Sequence, residues 1–178
     1  MLDLLAELGC FRIWIGSESG SQRILDAMER GVKVEQVQKA IELSRARGIQ
    51  SGMFLMWGYE GEQLPDIEAT IEHVKRSRPD IFFTTVAYPI KGTPYYERTR
   101  DRLVQLKAWS DSSDRELKIK GRHSSRFYDY ADRLLRDEVA LSNLANRNAT
   151  DPVVIADLQS RIRANREGLT STYAEVEA

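Results

Sequence analysis

An uncharged run of seven residues, SGMFLMW at positions 51–57, lies between two stretches whose apolar residues recur at helical spacing. Continuous apolar strands of this kind are typical of parallel sheets that are covered on both faces. Two further β-rich runs, FRIWI at 11–15 and IFFTTVAY at 81–88, are separated from it by helical patterns. Because parallel strands need long crossover connections, usually helices, this alternation predicts three parallel βα units.

Helical periodicity and its boundary residues predict the helices of the same region. The glycines that follow the first three predicted helices, and Pro65 near the start of the fourth, are typical boundary residues. The predicted helices are residues 1–8, 21–30, 34–47 and 64–77.

The pattern changes beyond Arg100. Residues 107–113 resemble a loop, and ELKIK at 116–120 alternates as a short edge strand does. Two amphipathic helices follow, the second beginning at Asp151 and Pro152, and they predict a helical hairpin docked on the sheet domain or on another chain. The fold class is therefore α/β with a helical C-terminal extension. The predicted divisions are residues 1–97, 98–124 and 125–178.

Composition narrows the classes of partner. The 26 Lys and Arg residues are balanced by 27 Asp and Glu residues, so the net charge of −1 argues against nucleic-acid binding by bulk charge. No apolar run approaches the roughly 20 residues of a membrane span, and the N-terminus lacks a secretory signal. A single cysteine excludes an internal disulfide. A cytoplasmic location is therefore expected, with no nucleic-acid partner and no membrane span.

Polar, glycine-rich and proline-rich segments follow each predicted strand, at residues 16–21, 58–62 and 88–94. In parallel α/β folds the carboxyl ends of the strands form one edge, and ligands bind there. Any chemistry is therefore expected at these three segments.

Three sequence runs, taken in order, resemble the second half of a radical S-adenosylmethionine (SAM) core domain. They are GCFRIWIGSESGSQRILDAMERGVKVEQVQKAIELSRARGI, SGMFLMWGYEGE and VAYPIKGTPYYE, within residues 1–97. The resemblance is greatest to the branch whose members carry an N-terminal cobalamin-binding domain. It implies a partial TIM barrel, of which the three strands here are the fourth to the sixth. It also implies SAM and a 4Fe–4S cluster as cofactors and, for that branch, cobalamin.

The resemblance implies that Glu18, with Ser17 and Ser19 beside it, faces the ribose of SAM. A carboxylate suits this role because it accepts hydrogen bonds from both ribose hydroxyls. The residues alone allow another interpretation, in which Glu18 or Ser19 caps the helix that begins near Ser21.

The other two strand ends are expected to contact the adenine. Gly58 permits a close backbone approach, and the backbone at Tyr88 and Pro89 reads the adenine edge in this family. Both segments also fit ordinary turn chemistry. No catalytic residue and no metal ligand is assigned.

Several other conspicuous residues are expected to be structural. Glu62 is interpreted as support for a helix N-terminus, Cys10 as a small core residue and His73 as a solvated side chain. The basic residues around His123 are interpreted as a solvated cluster. The three tryptophans, Trp14, Trp57 and Trp109, are interpreted as packing residues.

For a whole enzyme, the resemblance implies cleavage of SAM to a 5′-deoxyadenosyl radical. The radical would serve methylation, cyclisation or rearrangement of an unactivated small-molecule substrate. The cluster motif CxxxCxxC is absent from this sequence. The chain is therefore expected to be a fragment, inactive alone, from a truncated reading frame or a split gene. A missing N-terminal half or a separate subunit would then carry the cluster. The alternatives are a methylthiotransferase of the same superfamily and a non-catalytic half-barrel that binds a partner.

Overall fold

The computed structural model describes residues 1–104, 117–146 and 151–177. Its helices are α1 (Leu2–Glu7), α2 (Gln22–Ala27), α3 (Val34–Arg45), α4 (Leu64–Ser77), α5 (Pro94–Thr99), α6 (Ser125–Asn146) and α7 (Pro152–Ser171), with a 3₁₀ turn at Arg100–Arg102. Its strands are β1 (Arg12–Glu18), β2 (Gln50–Trp57), β3 (Ile81–Val86), β4 (Leu103–Val104) and β5 (Lys118–Ile119).

The first three strands form one parallel sheet in the order β1-β2-β3, as predicted. β1 continues to Glu18, three residues beyond its predicted end, and its register shifts between Gly16 and Glu18. β3 ends at Val86, two residues before its predicted end. The parallel βα architecture is therefore confirmed, and the corrections concern the strand ends.

The four helices predicted before residue 78 are present, with the largest difference in bounds at α2, whereas α5 is not predicted, because residues 92–94 are interpreted as a turn. Helix α4 has its predicted bounds, and Gln63 and Asp66 form a capping box at its start. Helix α2 ends at Ala27, earlier than predicted, because Glu29 takes a left-handed φ of 55°. The N–H of Arg30 then bonds to the carbonyl of Leu25 at 3.1 Å, which closes the helix before Gly31.

Only one face of the sheet is covered within the described residues, which corrects the expectation of two buried faces. Met53, Leu55 and Trp57 point to the helices and are buried, because alternate residues of a strand share a face. On the other face Phe54 is 44% exposed. The apolar run thus supplies a core face and an open face.

Three aromatic rings stack on that open face. The ring centroid of Trp14 lies 5.0 Å from that of Phe54 and 5.7 Å from that of Phe83. Gly52 lies beneath the indole, and a Cβ there would overlap the ring. Trp57 is a buried packing residue as predicted, Trp14 packs but remains 46% exposed, and Trp109 lies outside the described residues.

Helices α6 and α7 form the predicted helical C-terminal extension. Asp151 caps α7, its side chain accepting hydrogen bonds from the N–H groups of Val153 at 2.9 Å and Val154 at 3.4 Å. Leu134 and Leu135 of α6 share one apolar cluster with residues of α4. The hairpin therefore docks on the helical layer of its own chain.

A two-stranded antiparallel ladder joins the sheet domain to this hairpin. Val104 of β4 pairs with Lys118 of β5, so the predicted edge strand is present over two residues. The predicted loop at 107–113 lies outside the described residues. Across the described ranges, the structure contains no helix with the length and apolar character needed to cross a membrane.

Candidate cofactor-binding edge

Glu18 ends β1 in a left-handed conformation with a φ of 61°. Its carboxylate folds back over Gly16, where a Cβ would lie 2.8 Å from Oε1 of Glu18 and 3.1 Å from Nη2 of Arg30. The absence of a side chain at Gly16 thus gives room to the carboxylate and to Arg30. This conformation places an acidic group at the carboxyl end of the sheet.

The carboxylate of Glu18 retains capacity to accept hydrogen bonds. Its contact with Nη2 of Arg30 is long, 3.5 Å, and its side chain is 18% exposed. Burial raises the pKa of Glu18, while the charge of Arg30 lowers it. A partly buried carboxylate with one long ion pair can accept further hydrogen bonds from hydroxyl groups, and the contact of Glu18 with the ribose of SAM stays a prediction. No side chain caps α2 at Ser21, so Glu18 does not serve as its cap.

Ser17 and Ser19 do not share this position, which corrects the expectation that they flank the ligand. Both are fully buried. Ser17 Oγ lies 2.9 Å from Nε2 of His73, and Ser19 Oγ lies 3.2 Å from Oγ1 of Thr70. Their hydroxyls therefore point to α4. Ser19 Oγ also accepts a hydrogen bond from the N–H of Ser21 at 3.1 Å, so it supports the start of α2.

His73 is buried, with 2% of its surface exposed, which corrects the expectation of a solvated side chain. Its Nδ1 lies 3.2 Å from Nε2 of Gln38 on α3. Burial lowers the pKa of His73 to about 4, so the ring is neutral near pH 7. The sequence offered one signal for this role, because His73 is three residues from Thr70 and four from Ser77, both on the buried side of α4.

Gly58 begins the turn after β2 with a φ of 73°. A Cβ there would lie 2.8 Å from Cζ of Tyr128, so the close approach at Gly58 is made by a tyrosine of α6. The N–H of Gly58 donates a hydrogen bond to Oε2 of Glu62 at 2.6 Å. Glu62 therefore closes this turn, which corrects its expected role at the N-terminus of α4. Contact between Gly58 and adenine stays a prediction.

Tyr88 and Pro89 follow the end of β3. Pro89 is buried and Tyr88 is partly buried. The preceding residue, Ala87, donates its N–H to the carbonyl of Trp57 at 2.7 Å, and its own carbonyl accepts from Arg122. The exit from β3 is thus fixed by β2 and the C-terminal region. Its reading of the adenine edge also stays a prediction.

Two of the basic residues around His123 pair with glutamates of the segment after α7, while Arg126 and Lys120 remain exposed, as expected of a solvated cluster. Lys118 Nζ lies 2.7 Å from Glu177, and Arg126 Nη1 lies 2.9 Å from Glu175. The ring of His123 packs 4.3 Å from that of Phe127. These contacts attach the segment after α7 to the start of α6.

The described residues do not fit a 4Fe–4S cluster. Cys10 is the one cysteine of the sequence, and its Sγ is directed to the carbonyl of Arg12 at 3.7 Å. No group of three or more His, Cys, Asp or Glu side chains among the described residues is arranged to hold a metal ion. A 4Fe–4S cluster is held by several cysteine thiolates, and this sequence has one cysteine.

Comparison with known proteins identifies a family model and several similar proteins. Residues 1–74 match the model of the radical SAM superfamily. A segment of 94 residues is 32% identical to an uncharacterized methyltransferase of Pyrococcus horikoshii and covers 52% of this chain and 20% of that protein. A segment of 103 residues is 27% identical to the bacteriochlorophyllide d C-12(1)-methyltransferase of Chlorobaculum tepidum and covers 57% of this chain and 22% of that protein.

Two further comparisons concern function and fold separately. A segment of 90 residues is 32% identical to the tRNA-2-methylthio-N(6)-dimethylallyladenosine synthase of Carboxydothermus hydrogenoformans, covering 49% of this chain and 20% of that one. A structure of the archaeal Methanocaldococcus infernus Elp3 aligns with a TM-score of 0.52 at 22% identity, covering 79% of this chain and 28% of that one. The structural likeness supports the fold alone.

The predicted relationship to the radical SAM superfamily is therefore confirmed, through residues 1–74. The α/β fold with its helical C-terminal region is confirmed as well. The chain spans about a fifth of the length of the curated relatives it matches.

Proposed function

We propose that this chain provides the SAM-binding strands of a radical SAM enzyme. The observation that carries the proposal is the bulge that holds the Glu18 carboxylate over Gly16, at the carboxyl end of the sheet. Glu18 would accept hydrogen bonds from the ribose hydroxyls. The backbone at Gly58, Tyr88 and Pro89 would contact the adenine.

The complete enzyme would use SAM for methylation, cyclisation or rearrangement of an unactivated small-molecule substrate. Methylation is the first choice because two of the similar proteins are named methyltransferases. With one cysteine in the sequence, the three thiolates of CxxxCxxC would come from a missing N-terminal half or from a separate subunit. This chain alone would then be inactive.

Cobalamin is the finer part of the proposal. Its support is the resemblance to the cobalamin-linked branch and to the bacteriochlorophyllide methyltransferase. In the described part of the chain, His73 is hydrogen-bonded to Ser17 and Gln38, and His123 packs between Phe127 and Tyr173. In the branch that this sequence resembles, cobalamin is bound by an N-terminal domain, so the cobalamin would be held by residues outside this sequence.

A methylthiotransferase is the second candidate. Its support is the 32% identity to the tRNA-2-methylthio-N(6)-dimethylallyladenosine synthase. The two candidates differ in product, because a methylthiotransferase transfers sulfur together with the methyl group. Mass spectrometry of the product of a reconstituted enzyme would distinguish them.

SAM binding tests the proposal directly. Isothermal titration calorimetry with the full chain is expected to detect SAM binding, and Glu18→Gln is expected to weaken it about tenfold. Glu42→Gln is the matched control, because Glu42 is an exposed glutamate of α3. Failure of the folded wild-type chain to bind SAM would contradict the proposal and favour the partner-binding half-barrel.

Anaerobic iron–sulfur reconstitution tests the second part. Iron content and electron paramagnetic resonance are expected to show no 4Fe–4S cluster on this chain. A stable cluster that cleaves SAM would mean that copies of Cys10 contributed by several chains supply the ligands, and the proposed external source would be wrong.

A further inference from the structure

A cavity of about 190 Å³ lies between the turn after β2, α5, β5 and the start of α6. The residues that matter for its chemistry are Gly58, Glu62, Tyr95, Arg122, His123 and Tyr128. A water molecule occupies roughly 30 Å³ in the liquid, so the cavity has room for more than one water. It is lined by different side chains from those around Glu18.

Three buried polar atoms of these lining residues have no hydrogen-bond partner within the described structure. They are Oε1 of Glu62, Nε of Arg122 and Nδ1 of His123. Glu62 is only 7% exposed. Buried polar atoms are almost always paired, so three unpaired ones around one cavity indicate that a bound molecule completes their hydrogen bonds.

The partners that these groups already have define what each still offers. Arg122 donates through Nη1 to the carbonyl of Ala87, which fixes the guanidinium and leaves its Nε–H free. Oε2 of Glu62 accepts a hydrogen bond from the N–H of Gly58, so Oε1 remains available to a bound molecule. The ring of His123 packs against Phe127 and Tyr173, and its Nδ1 has no hydrogen-bond partner within the described structure.

The charge balance of the cavity favours an anion. Burial raises the pKa of Glu62 to about 8, so this carboxyl is mostly protonated near pH 7 and Oε1 offers a hydrogen-bond donor. Arg122 is always charged, and among the described residues it has no carboxylate ion pair. The second arginine at the cavity, Arg102, is paired with the exposed Glu60.

We propose that this cavity binds a small oxyanion, the carboxylate or phosphate group of a small molecule. Arg122 Nε–H and the protonated Oε1 of Glu62 donate to the anion, and the phenol rings of Tyr95 and Tyr128 border it. The cavity shares Gly58 with the proposed SAM site, but its two donor side chains, Arg122 and Glu62, are not part of that site, and neither Glu18 nor Arg30 lines the cavity.

Binding is therefore coupled to the proton of Glu62. The charged groups that act on Glu62 are Asp66 of α4, Arg23 of α2 and Arg122, which precedes α6. The phenol of Tyr128 on α6 also interacts with Glu62. Asp66 raises the pKa of Glu62, whereas Arg23 and Arg122 lower it. Ionised Glu62 would repel an anion and lose its donor, so affinity falls as the pH rises through the pKa of this carboxyl.

Two titrations of the full chain test the proposal, one with inorganic phosphate and one with acetate, followed by NMR shifts of the Gly58 and Glu62 amides. Saturable binding of either anion near pH 7 supports the proposal, and the comparison distinguishes a phosphate from a carboxylate ligand. Arg122→Gln is expected to weaken binding about tenfold. Arg126→Gln, which removes a nearby exposed arginine outside the cavity, is expected to leave it unchanged.

Acetate serves for the pH series because it keeps one charge from about pH 7 to about pH 9. The affinity of acetate for the wild-type chain is expected to fall over this pH range. Glu62→Gln is expected to make the affinity independent of pH, while its amide oxygen still accepts the hydrogen bond from the N–H of Gly58. Absence of saturable binding of both anions up to about 50 mM by the folded wild-type chain would overturn the proposal and leave a water-filled cavity. Equal weakening by Arg122→Gln and Arg126→Gln would overturn it as well. If Arg122→Gln does not fold, the wild-type titration and the Glu62→Gln series still decide.

Discussion

Ser17 Oγ lies 2.9 Å from Nε2 of His73, and this hydrogen bond joins the irregular end of β1 to the middle of α4. His73 also contacts Gln38 of α3 through its other ring nitrogen. A neutral histidine thus connects a strand and two helices beneath the position of Glu18. The packing of His73 therefore helps to fix the edge at which the cofactor would bind.

The first prediction concerns the pH dependence of stability. The pKa of His73 is about 4 in the folded chain, against an ordinary value of 6.5. Between these values the unfolded chain holds more protons, so the free energy of unfolding rises with pH through this window and is lost as the pH falls. The contribution of His73 is at most about 3 kcal/mol.

Urea unfolding at several pH values checks this contribution. In His73→Gln the difference in stability from wild type is expected to shrink as the pH falls from about 6.5 to about 4. A difference that is constant over this window would show that His73 is not held neutral by burial.

The second prediction concerns the turn at Gly58. Gly58→Ala is expected to destabilise the chain by about 2 kcal/mol, from the left-handed φ of 73° and from the contact with Tyr128. Gly9→Ala is the matched control, because Gly9 has a φ of 75° and a Cβ added there would meet no atom within 4 Å. Gly9→Ala has only the conformational cost of a side chain at a left-handed φ, so its free energy of unfolding is expected to fall by about 1 kcal/mol. Equal losses of stability for the two variants in urea unfolding would show that the contact with Tyr128 does not contribute.

The third prediction concerns the aromatic stack of the open sheet face. Gly52→Ala is expected to displace the Trp14 indole, since a Cβ would overlap it. The loss is expected to be about 1–3 kcal/mol in the wild-type background. In the Trp14→Ala background the same substitution is expected to cost much less, because the ring is gone. A double-mutant cycle without coupling between the two positions would contradict this packing.

The fourth prediction concerns the helical hairpin. Asp137 of α6 is buried. Its carboxylate accepts a hydrogen bond from Nδ2 of Asn165 at 2.9 Å and also contacts Arg161 of α7. Asp137→Ala leaves the amide of Asn165 buried without its acceptor and is expected to destabilise the chain by about 2 kcal/mol. Asp157→Ala is the control, since Asp157 contacts the same arginine but is exposed. A comparable loss at both positions would assign the effect to Arg161 instead of the buried carboxylate.

The sequence predicted the regular elements well where periodicity and boundary residues agreed. Helix α4 has its predicted bounds because an apolar stripe follows Pro65 and is ended at Arg78, which takes a left-handed φ of 49°. The apolar run of β2 predicted a parallel strand. It did not predict the open face, because burial of Phe54 depends on what covers the sheet and not on the strand itself.

The details of the candidate site were less predictable. The segment GSESGS is rich in turn formers, so the continuation of β1 as a bulge to Glu18 was missed. The local sequence around His73 is charged, and its burial arises from contacts with residues 35 and 56 positions away, Gln38 and Ser17. The unpaired atoms of Glu62 and Arg122 arise from packing of α6 against the turn after β2, which no local pattern reports.

The most direct test of the central claim, that Glu18 binds a ribose, compares adenosine with 2′,3′-dideoxyadenosine by isothermal titration calorimetry. The wild-type chain is expected to bind adenosine about tenfold more tightly, because only adenosine has the two hydroxyls that Glu18 would accept. In Glu18→Gln the two ligands are expected to bind with similar affinity. Equal affinity of the wild-type chain for both ligands would contradict the assignment of Glu18 to the ribose.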